Sequence, residues 1–304
     1  MAETAVPLHI PVLTAEVLDH LAARAGGRYV DATVDGGGHT AALLAATAPS
    51  GRILGIDRDA AVLAAARRRF ADGAAGGRLT LVHASFATLA EVLARHGFAT
   101  VDGVLFDLGV SSFHLDASGR GFSFNADEPL DMRFDPADPS SESAADILAE
   151  GATDELTTIF RTYGEERFAS RIARTIVARR RQAPIATTRQ LFAAVEQSLP
   201  PGARWRAGRD AARIFQALRI AANRELEALA IALPQAVAAL APGGRLVLIA
   251  FHSLEDRIVK RFLRQEAAAG RVRPLTKKPV MPGDAELAVN ARAASAKLRA
   301  AEKL

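Results

Sequence analysis

The feature that most restricts how this chain can fold is an alternation that runs through its first 110 or so residues and then stops. Tyr29 to Val34, Arg52 to Asp57, Leu79 to His83 and Val101 to Asp107 are short apolar runs that read as buried strands. Thr40 to Ala48, Ala60 to Phe70 and Leu89 to His96 lie between them and read as helices. Strands separated by whole helices pair by crossover, which gives βαβ units and a doubly wound, mostly parallel sheet. Asp116 to Pro139 is rich in Gly, Pro, Asp and Phe and reads as an ordered, irregular loop. From about Ala144 to Leu240 the period is helical, broken at Pro184 and at Pro200-Pro201-Gly202. A strand then returns at Arg245 to Phe251, behind Ala241-Pro242-Gly243-Gly244. A helix-only block between two strands of one sheet is an insertion. The expectation is an α/β domain made of residues 1–112 and 213–304, with an inserted all-helical domain at 113–212.

Composition narrows the class. The chain is 49% hydrophobic and 24% charged, enough to bury a core. It has no cysteine, which removes disulfide scaffolds, thiolate zinc sites and Cys nucleophiles together. Met1 to Leu21 lacks the cationic start and apolar core of a signal peptide, and no run approaches ~18 apolar residues. A soluble, cytoplasmic protein is expected. Charge is segregated: Phe98–Phe160 holds 13 acidic and 2 basic residues, whereas Arg161–Arg224 holds 14 basic and 4 acidic. Arg257 to the end adds 12 basic against 4 acidic. Two basic blocks around an acidic one suit a polyanion-facing surface, though solvated arginine-laced helices carry the same signature. Nothing in the sequence fixes an oligomeric state.

Ligands of such sheets bind at the carboxyl ends of the strands, near the point where strand order reverses. After the first strand comes Asp35-Gly36-Gly37-Gly38-His39, whose glycines let backbone approach a ligand. Asp57 ends the second strand, 21 residues after Gly36, where an acid receives a ribose hydroxyl pair. A dinucleotide would bring its pyrophosphate against Asp31 and Asp35, which is repulsive. S-adenosylmethionine has no phosphate and carries a sulfonium and an amino group, so acids suit it better. Phe86, just past the third strand, is placed either to pack on an adenine or to join the core. The fourth strand ends in Asp107-Leu108-Gly109-Val110-Ser111-Ser112, where an amino-group methyltransferase would hold its acceptor nitrogen. No His, Asp or Glu spacing resembles a metal site.

Together these residues resemble the bacterial small-subunit rRNA cytosine-N4 methyltransferase family, MraW or ribosomal RNA small subunit methyltransferase H. The matching blocks run nearly end to end. They include His9-x-Pro11-Val12-Leu13, Asp31-Ala32-Thr33 with Gly36-Gly37-Gly38-His39, Gly55-Ile56-Asp57 and Asp107-Leu108-Gly109-Val110-Ser111-Ser112. Arg120-Gly121-Phe122-Ser123-Phe124, Pro129-Leu130-Asp131-Met132-Arg133, Tyr163-Gly164-Glu165-Glu166-Arg167 and Phe251-His252-Ser253-Leu254-Glu255 continue the series, and Ser295 to Arg299 ends it. The resemblance implies a class I methyltransferase fold with a helical insertion. It also implies methyl transfer from S-adenosylmethionine to the exocyclic N4 of one cytidine in the decoding centre of 16S rRNA, with small-subunit rRNA or the small ribosomal subunit as partner. By position it implies cofactor contacts at Gly37, Gly38, His39, Asp57, Phe86 and Asp107, with His114 where the family usually has Gln. Asp35 stands where the family usually has Gly, and Phe113-His114 replaces Pro-Gln.

The cytosine amino lone pair is delocalised into the ring, so transfer needs the nitrogen held in line at ~3–3.5 Å and an acceptor for its protons. Asp107, with a carbonyl or hydroxyl from Gly109 to Ser112 such as Ser111 or Ser112, is the candidate acceptor; its other open role is to serve the cofactor. His252, with Ser253, Glu255 and Asp256, either holds the base or simply starts a helix, Ser253 capping and Asp256 three residues on. The basic residues Arg179-Arg180-Arg181, Lys277-Lys278 and Lys297 to Lys303 are expected to grip phosphates, and Phe122, Phe124 and Phe134 either stack on the base or anchor their loop. The competing classes are an NAD-dependent oxidoreductase, which leaves Asp31 and Asp35 unexplained, and a non-catalytic RNA-binding assembly factor, which has no need of the cofactor loop.

Overall fold

The computed structural model describes residues 11–71 and 75–304; His9 of the first matching block lies outside them. The chain divides into two compact units, one of residues 1–111 and 226–304 and the other of Ser112–Glu225.

The first unit is built on a seven-stranded sheet. Its strands are β1 (Arg28–Asp31), β2 (Arg52–Asp57), β3 (Leu79–His83), β4 (Val101–Asp107), β5 (Leu240–Ala250), β6 (Val272–Pro274) and β7 (Lys297–Lys303). Their spatial order is β3-β2-β1-β4-β5-β7-β6, parallel from β3 to β5, with β7 antiparallel to both of its neighbours. Strand order reverses between β1 and β4, and ligands of such sheets bind at the carboxyl ends there. Before the second unit the chain contributes α1 (Thr14–Leu21), α2 (Gly38–Ala46), α3 (Ala60–Arg69) and α4 (Leu89–Arg95).

Successive strand residues point to opposite faces, and here both faces are covered, which is why the strands read as continuous apolar runs. Val30, Leu54, Ile56, Val104, Phe106, Leu246 and Leu248 share one buried cluster. Tyr29, Ile53, Leu105, Val247 and Ile249 share the other, with Val17 and Leu21 of α1 and Leu43 of α2. The seven-stranded order with one antiparallel strand, helices on both faces, is the class I methyltransferase arrangement.

The second unit is helical: α5 (Ser112–Asp116), α6 (Ala144–Glu150), α7 (Thr153–Thr162), α8 (Ala169–Arg180), α9 (Thr188–Ser198) and α10 (Ala207–Asn223). α10 continues unbroken past residue 212, because its apolar stripe of Ala211, Ile214, Leu218 and Ala222 stays buried to its end. The unit therefore runs to Glu225, beyond the expected boundary at 212. Asn223, 1% exposed, ties the irregular loop to that end. Its Nδ2 donates to Met132 O (2.7 Å) and Arg219 O (2.9 Å), and its Oδ1 accepts from Phe134 N (2.8 Å). The loop phenylalanines are anchors: Phe122 stacks on Phe134 with centroids 5.5 Å apart, and Phe124 packs on Phe192 and Phe215.

The chain then returns to the first unit through α11 (Glu225–Ala239), with α12 (Ser253–Ala268) and α13 (Asp284–Val289) completing it. β7 has no counterpart in the sequence reading. Arg299 is buried in it because the Asp256 carboxylate takes the guanidinium, Nε to Oδ1 at 2.6 Å and Nη2 to Oδ2 at 3.2 Å. Lys303 Nζ donates to Ala238 O (2.9 Å) and Leu240 O (2.6 Å). The segment Lys297 to Lys303 thus spends charges on the fold that had been expected to hold phosphate. Among the described residues no helix is long and apolar enough to cross a membrane.

Candidate active site

The site in the first unit is built where β1, β2 and β4 end. β1 stops at Asp31, and the chain beyond it stays stitched to both neighbours: Ala32 N donates to Leu105 O (2.9 Å) and Val34 N to Ile56 O (3.1 Å). Asp31 is fully buried. Its Oδ2 accepts the Thr40 hydroxyl at 2.6 Å and its Oδ1 the Thr33 N–H at 3.3 Å, which pins β1 to the first turn of α2. Burial pushes this carboxyl up to about 6, against the hydrogen bonds and the nearby His39 that favour its charge. Asp31 is thus the anchor of the glycine loop.

The loop itself is bent by Asp35, whose φ of 48° is left-handed. Its N–H donates to Asp57 Oδ2 at 3.0 Å, and Asp59 N–H donates to Asp57 Oδ1 at 2.8 Å. Asp57 is therefore held rigidly at the end of β2. Burial first, and then the carboxylates of Asp57, Asp107, Asp31 and Asp59, raise Asp35 well above the ordinary range. Gly37 has φ 75°, and a Cβ there would meet the Phe70 ring at 2.9 Å. A Cβ on Gly38 would meet Pro11 at 2.8 Å. Gly37 caps α2 with no side-chain hydrogen bond, so no side chain at that position competes for the first-turn amides.

β4 delivers Asp107, whose N–H donates to Thr33 Oγ1 at 2.6 Å. Its Oδ2 lies 3.3 Å from His39 Nε2, and both side chains are at least nine-tenths buried. Asp107 Oδ1 and His39 Nδ1 are buried and meet no hydrogen-bond partner. Burial alone lowers the His39 imidazole; Asp107, with Asp31 and Glu286, outweighs it and raises the group above its ordinary value. This pairing was not legible in the sequence, because no spacing rule links a residue of α2 to the end of β4. Gly109, at φ 109°, lets the chain leave β4 close to Phe251, and Ser111 follows, buried.

The remaining expected residues divide. Phe86 lies in a short turn after β3, edge-on to Phe106 (centroids 5.6 Å) and partly buried against the core, so one side of it anchors the rim. His252 is the N-cap of α12: its Nδ1 accepts from Glu255 N at 3.4 Å. Glu255 Oε2 accepts from Phe251 N (2.9 Å) and His252 N (3.3 Å). The capping pair is thus His252 with Glu255, one residue before the expected Ser253 with Asp256, and this leaves Asp256 for Arg299. Ser112 and His114 belong to the second unit, where Ser112 opens α5. The His114 ring is buried between Phe122 and Phe134, each 5.0 Å away.

The donor set fits S-adenosylmethionine. Close-packed glycines lead to helix amides uncapped by the Gly37 side, which suit a carboxylate. Asp57 is placed where it could take a diol, and Asp107, with an oxygen that meets no hydrogen-bond partner, could take an amino group or face a sulfonium. A pyrophosphate would face these same acids.

Residues 7–304 match the model of the MraW methylase family. The chain is 51% identical to the ribosomal RNA small subunit methyltransferase H of Thermomicrobium roseum, over 97% of this chain and 94% of that one. It is 48% identical to the protein of the same name from Heliobacterium modesticaldum, over 97% and 98%. Among solved structures it is similar to an rRNA methylase of Streptococcus thermophilus, at 12% identity and a TM-score of 0.45, covering 100% of this chain and 99% of that one; a likeness at that level carries no weight of its own. On the family match and these relatives, the chain belongs to the MraW methylase family.

Proposed function

We propose that this protein methylates the exocyclic N4 of one cytidine in the decoding centre of small-subunit (16S) rRNA, with S-adenosylmethionine as donor. Membership of a methylase family and the names of its relatives support rRNA methylation; the cytosine amino group rests on the site. The observation that carries it is Asp107 Oδ1, a buried carboxylate oxygen with no partner, on a side chain whose other oxygen is 3.3 Å from His39. A buried acceptor left unpaired is costly in a protein interior, and an amino donor satisfies it.

S-adenosylmethionine supplies an electrophilic methyl group. The backbone of Gly37, Gly38 and His39 at the start of α2 would hold its amino-acid end, Asp57 its ribose hydroxyls, and the exposed side of Phe86 its adenine. Asp107 Oδ1 accepts an N4 proton of the cytosine, drawing the lone pair out of the ring. With the methyl group delivered to N4, Asp107 would take the proton that the amino nitrogen loses. His39, 3.3 Å from the other oxygen, orients the Asp107 carboxylate so that Oδ1 faces the amino group. Ser111, buried just beyond β4, offers a hydroxyl to the second amino proton. His252 acts indirectly, by fixing the start of α12.

The target base is stacked in folded RNA, and freeing it costs a few kcal/mol. The second unit carries the compensating charge and is the RNA-recognition unit. Arg161, Arg167, Arg171, Arg181, Arg204 and Arg209 are exposed there. Others in the block are committed to the fold, such as Arg180, which donates to Leu148 O and Gly151 O at 2.7 Å. The test is transfer of labelled methyl to small-subunit particles from cells lacking this protein, followed by nucleoside analysis. Label in N4-methylcytidine is expected; label in any other nucleoside would overturn the assignment.

A further inference from the structure

The chain has one tryptophan, Trp205, and it is 82% exposed. Among the described residues of the second unit it is the only large hydrophobic side chain left so open. An indole normally hides a large apolar area, so this exposure calls for a partner. The turn that carries the ring is well fastened. That turn, Pro201–Arg206, is helical and entered through Pro200-Pro201, whose rings restrict the backbone. Leu199, Ala203 and Ala207 fasten that turn from beneath, in a small cluster with Phe168 and Phe192. Trp205 Nε1–H donates to Gly202 O at 3.1 Å. With its one polar group satisfied inside the turn, the ring offers solvent its π surface.

The surroundings are cationic. The Arg206 guanidinium is 6.0 Å from the indole centroid and is fixed by Asp210, fully buried, at 2.9 Å. Arg204 and Arg209 are exposed on either side in sequence. Arg167, also exposed, lies 4.4 Å over Phe168, a member of the cluster beneath the turn. The acids closest in sequence to these arginines, Asp210 and Glu166, are buried, the latter with Arg213 3.6 Å away.

We propose that Trp205 is a stacking platform for an unpaired base of the RNA, with Arg167, Arg204 and Arg209 on the flanking phosphates. Aromatic rings on a basic surface are how single-stranded nucleic acid is held without reading its sequence. A protein partner would need an apolar rim of interface size around the ring, whereas one ring among arginines matches one base and its backbone. The proposal rests on RNA being the substrate, as argued above, but not on the methyl-transfer chemistry.

Because Trp205 is the sole tryptophan, its fluorescence reports this ring alone. The full-length protein is titrated with a short labelled oligouridylate, which has no N4 amino group, and with an RNA duplex of equal length, while anisotropy of the RNA reports binding. The expected result is strong quenching with the single strand and little with the duplex. Trp205→Ala should weaken oligouridylate binding about ten-fold or more, and Trp205→Phe should keep most of it. With particles as substrate, Trp205→Ala should raise KM and leave kcat unchanged. Binding seen by anisotropy without quenching, or equal affinity in Trp205→Ala, overturns the platform and leaves the RNA reading standing. No RNA binding at all overturns both. A fluorescence change that follows protein concentration without RNA assigns the ring to self-association instead.

Discussion

Asp31 lets the cost of assembling the site be read as a pH dependence of stability. Its carboxyl is fully buried, bonded to Thr40 and Thr33, and pushed up to about 6 from an ordinary 3.8. A carboxyl raised on folding favours the folded state while it is protonated in both states and disfavours it once both are ionised. The contribution is therefore present below about pH 4 and is lost as pH rises to about 6. The separation between 3.8 and about 6, at 1.36 kcal/mol per pH unit, amounts to on the order of 3 kcal/mol. Asp31→Asn removes the titration while its amide oxygen can still accept the Thr40 hydroxyl. Urea unfolding of both proteins across this range cancels the other titrating groups in the difference. Relative to Asp31→Asn, the wild-type protein should lose about 2–2.5 kcal/mol between pH 4 and pH 7. A difference that stays level would refute the claim that burial dominates this carboxylate. A difference that grows in the opposite direction would mean that Asp31 is stabilised by charge.

Two further perturbations reach other parts of the structure. The stability that His39 contributes should be fully present below its ordinary value of 6.5 and fall as pH rises through its raised folded value. In unfolding curves His39→Gln should abolish that alkaline fall; a fall that persists would assign it to another group. Asn223→Ala should cost about 2–3 kcal/mol, because the Phe134 amide and the Met132 carbonyl lose a buried partner. A loss below about 0.5 kcal/mol by urea unfolding would show that the loop is held by its aromatic contacts alone.

Much of this was legible because it follows from local pattern. β2, β3 and β4 have the limits their apolar runs suggest, and Asp57 and Asp107 stand at strand ends as expected. β1 ends at Asp31, short of the expected Val34, where the Thr33 N–H turns back to the Asp31 carboxylate, although Ala32 and Val34 still hydrogen-bond to the neighbouring strands. What stayed hidden depends on partners distant in sequence. β7 carries a charge in its buried centre, and only Asp256, 43 residues away, makes Arg299 tolerable there. The His39–Asp107 pair arises from the crossing of α2 with β4, which no local period encodes. His114 departs from the family's usual Gln, and its ring packs with phenylalanines from a loop whose path composition does not specify. The basic block was visible as charge, but which arginines face solvent depends on which carbonyls and carboxylates lie within reach, as Arg180 and Arg206 illustrate.

The claim at the centre of this account is that the unpartnered oxygen of Asp107 takes the proton of the cytosine amino group. Single-turnover methyl transfer to small-subunit particles, with S-adenosylmethionine affinity measured calorimetrically alongside, tests it in Asp107→Asn. Cofactor affinity within a few-fold of wild type and a transfer rate lower by about 10²–10⁴-fold, the usual scale of a lost general base, are expected. A variant that binds the cofactor normally and transfers at the wild-type rate would contradict the claim, and loss of cofactor binding with an unchanged rate at saturation would reassign Asp107 to holding the donor.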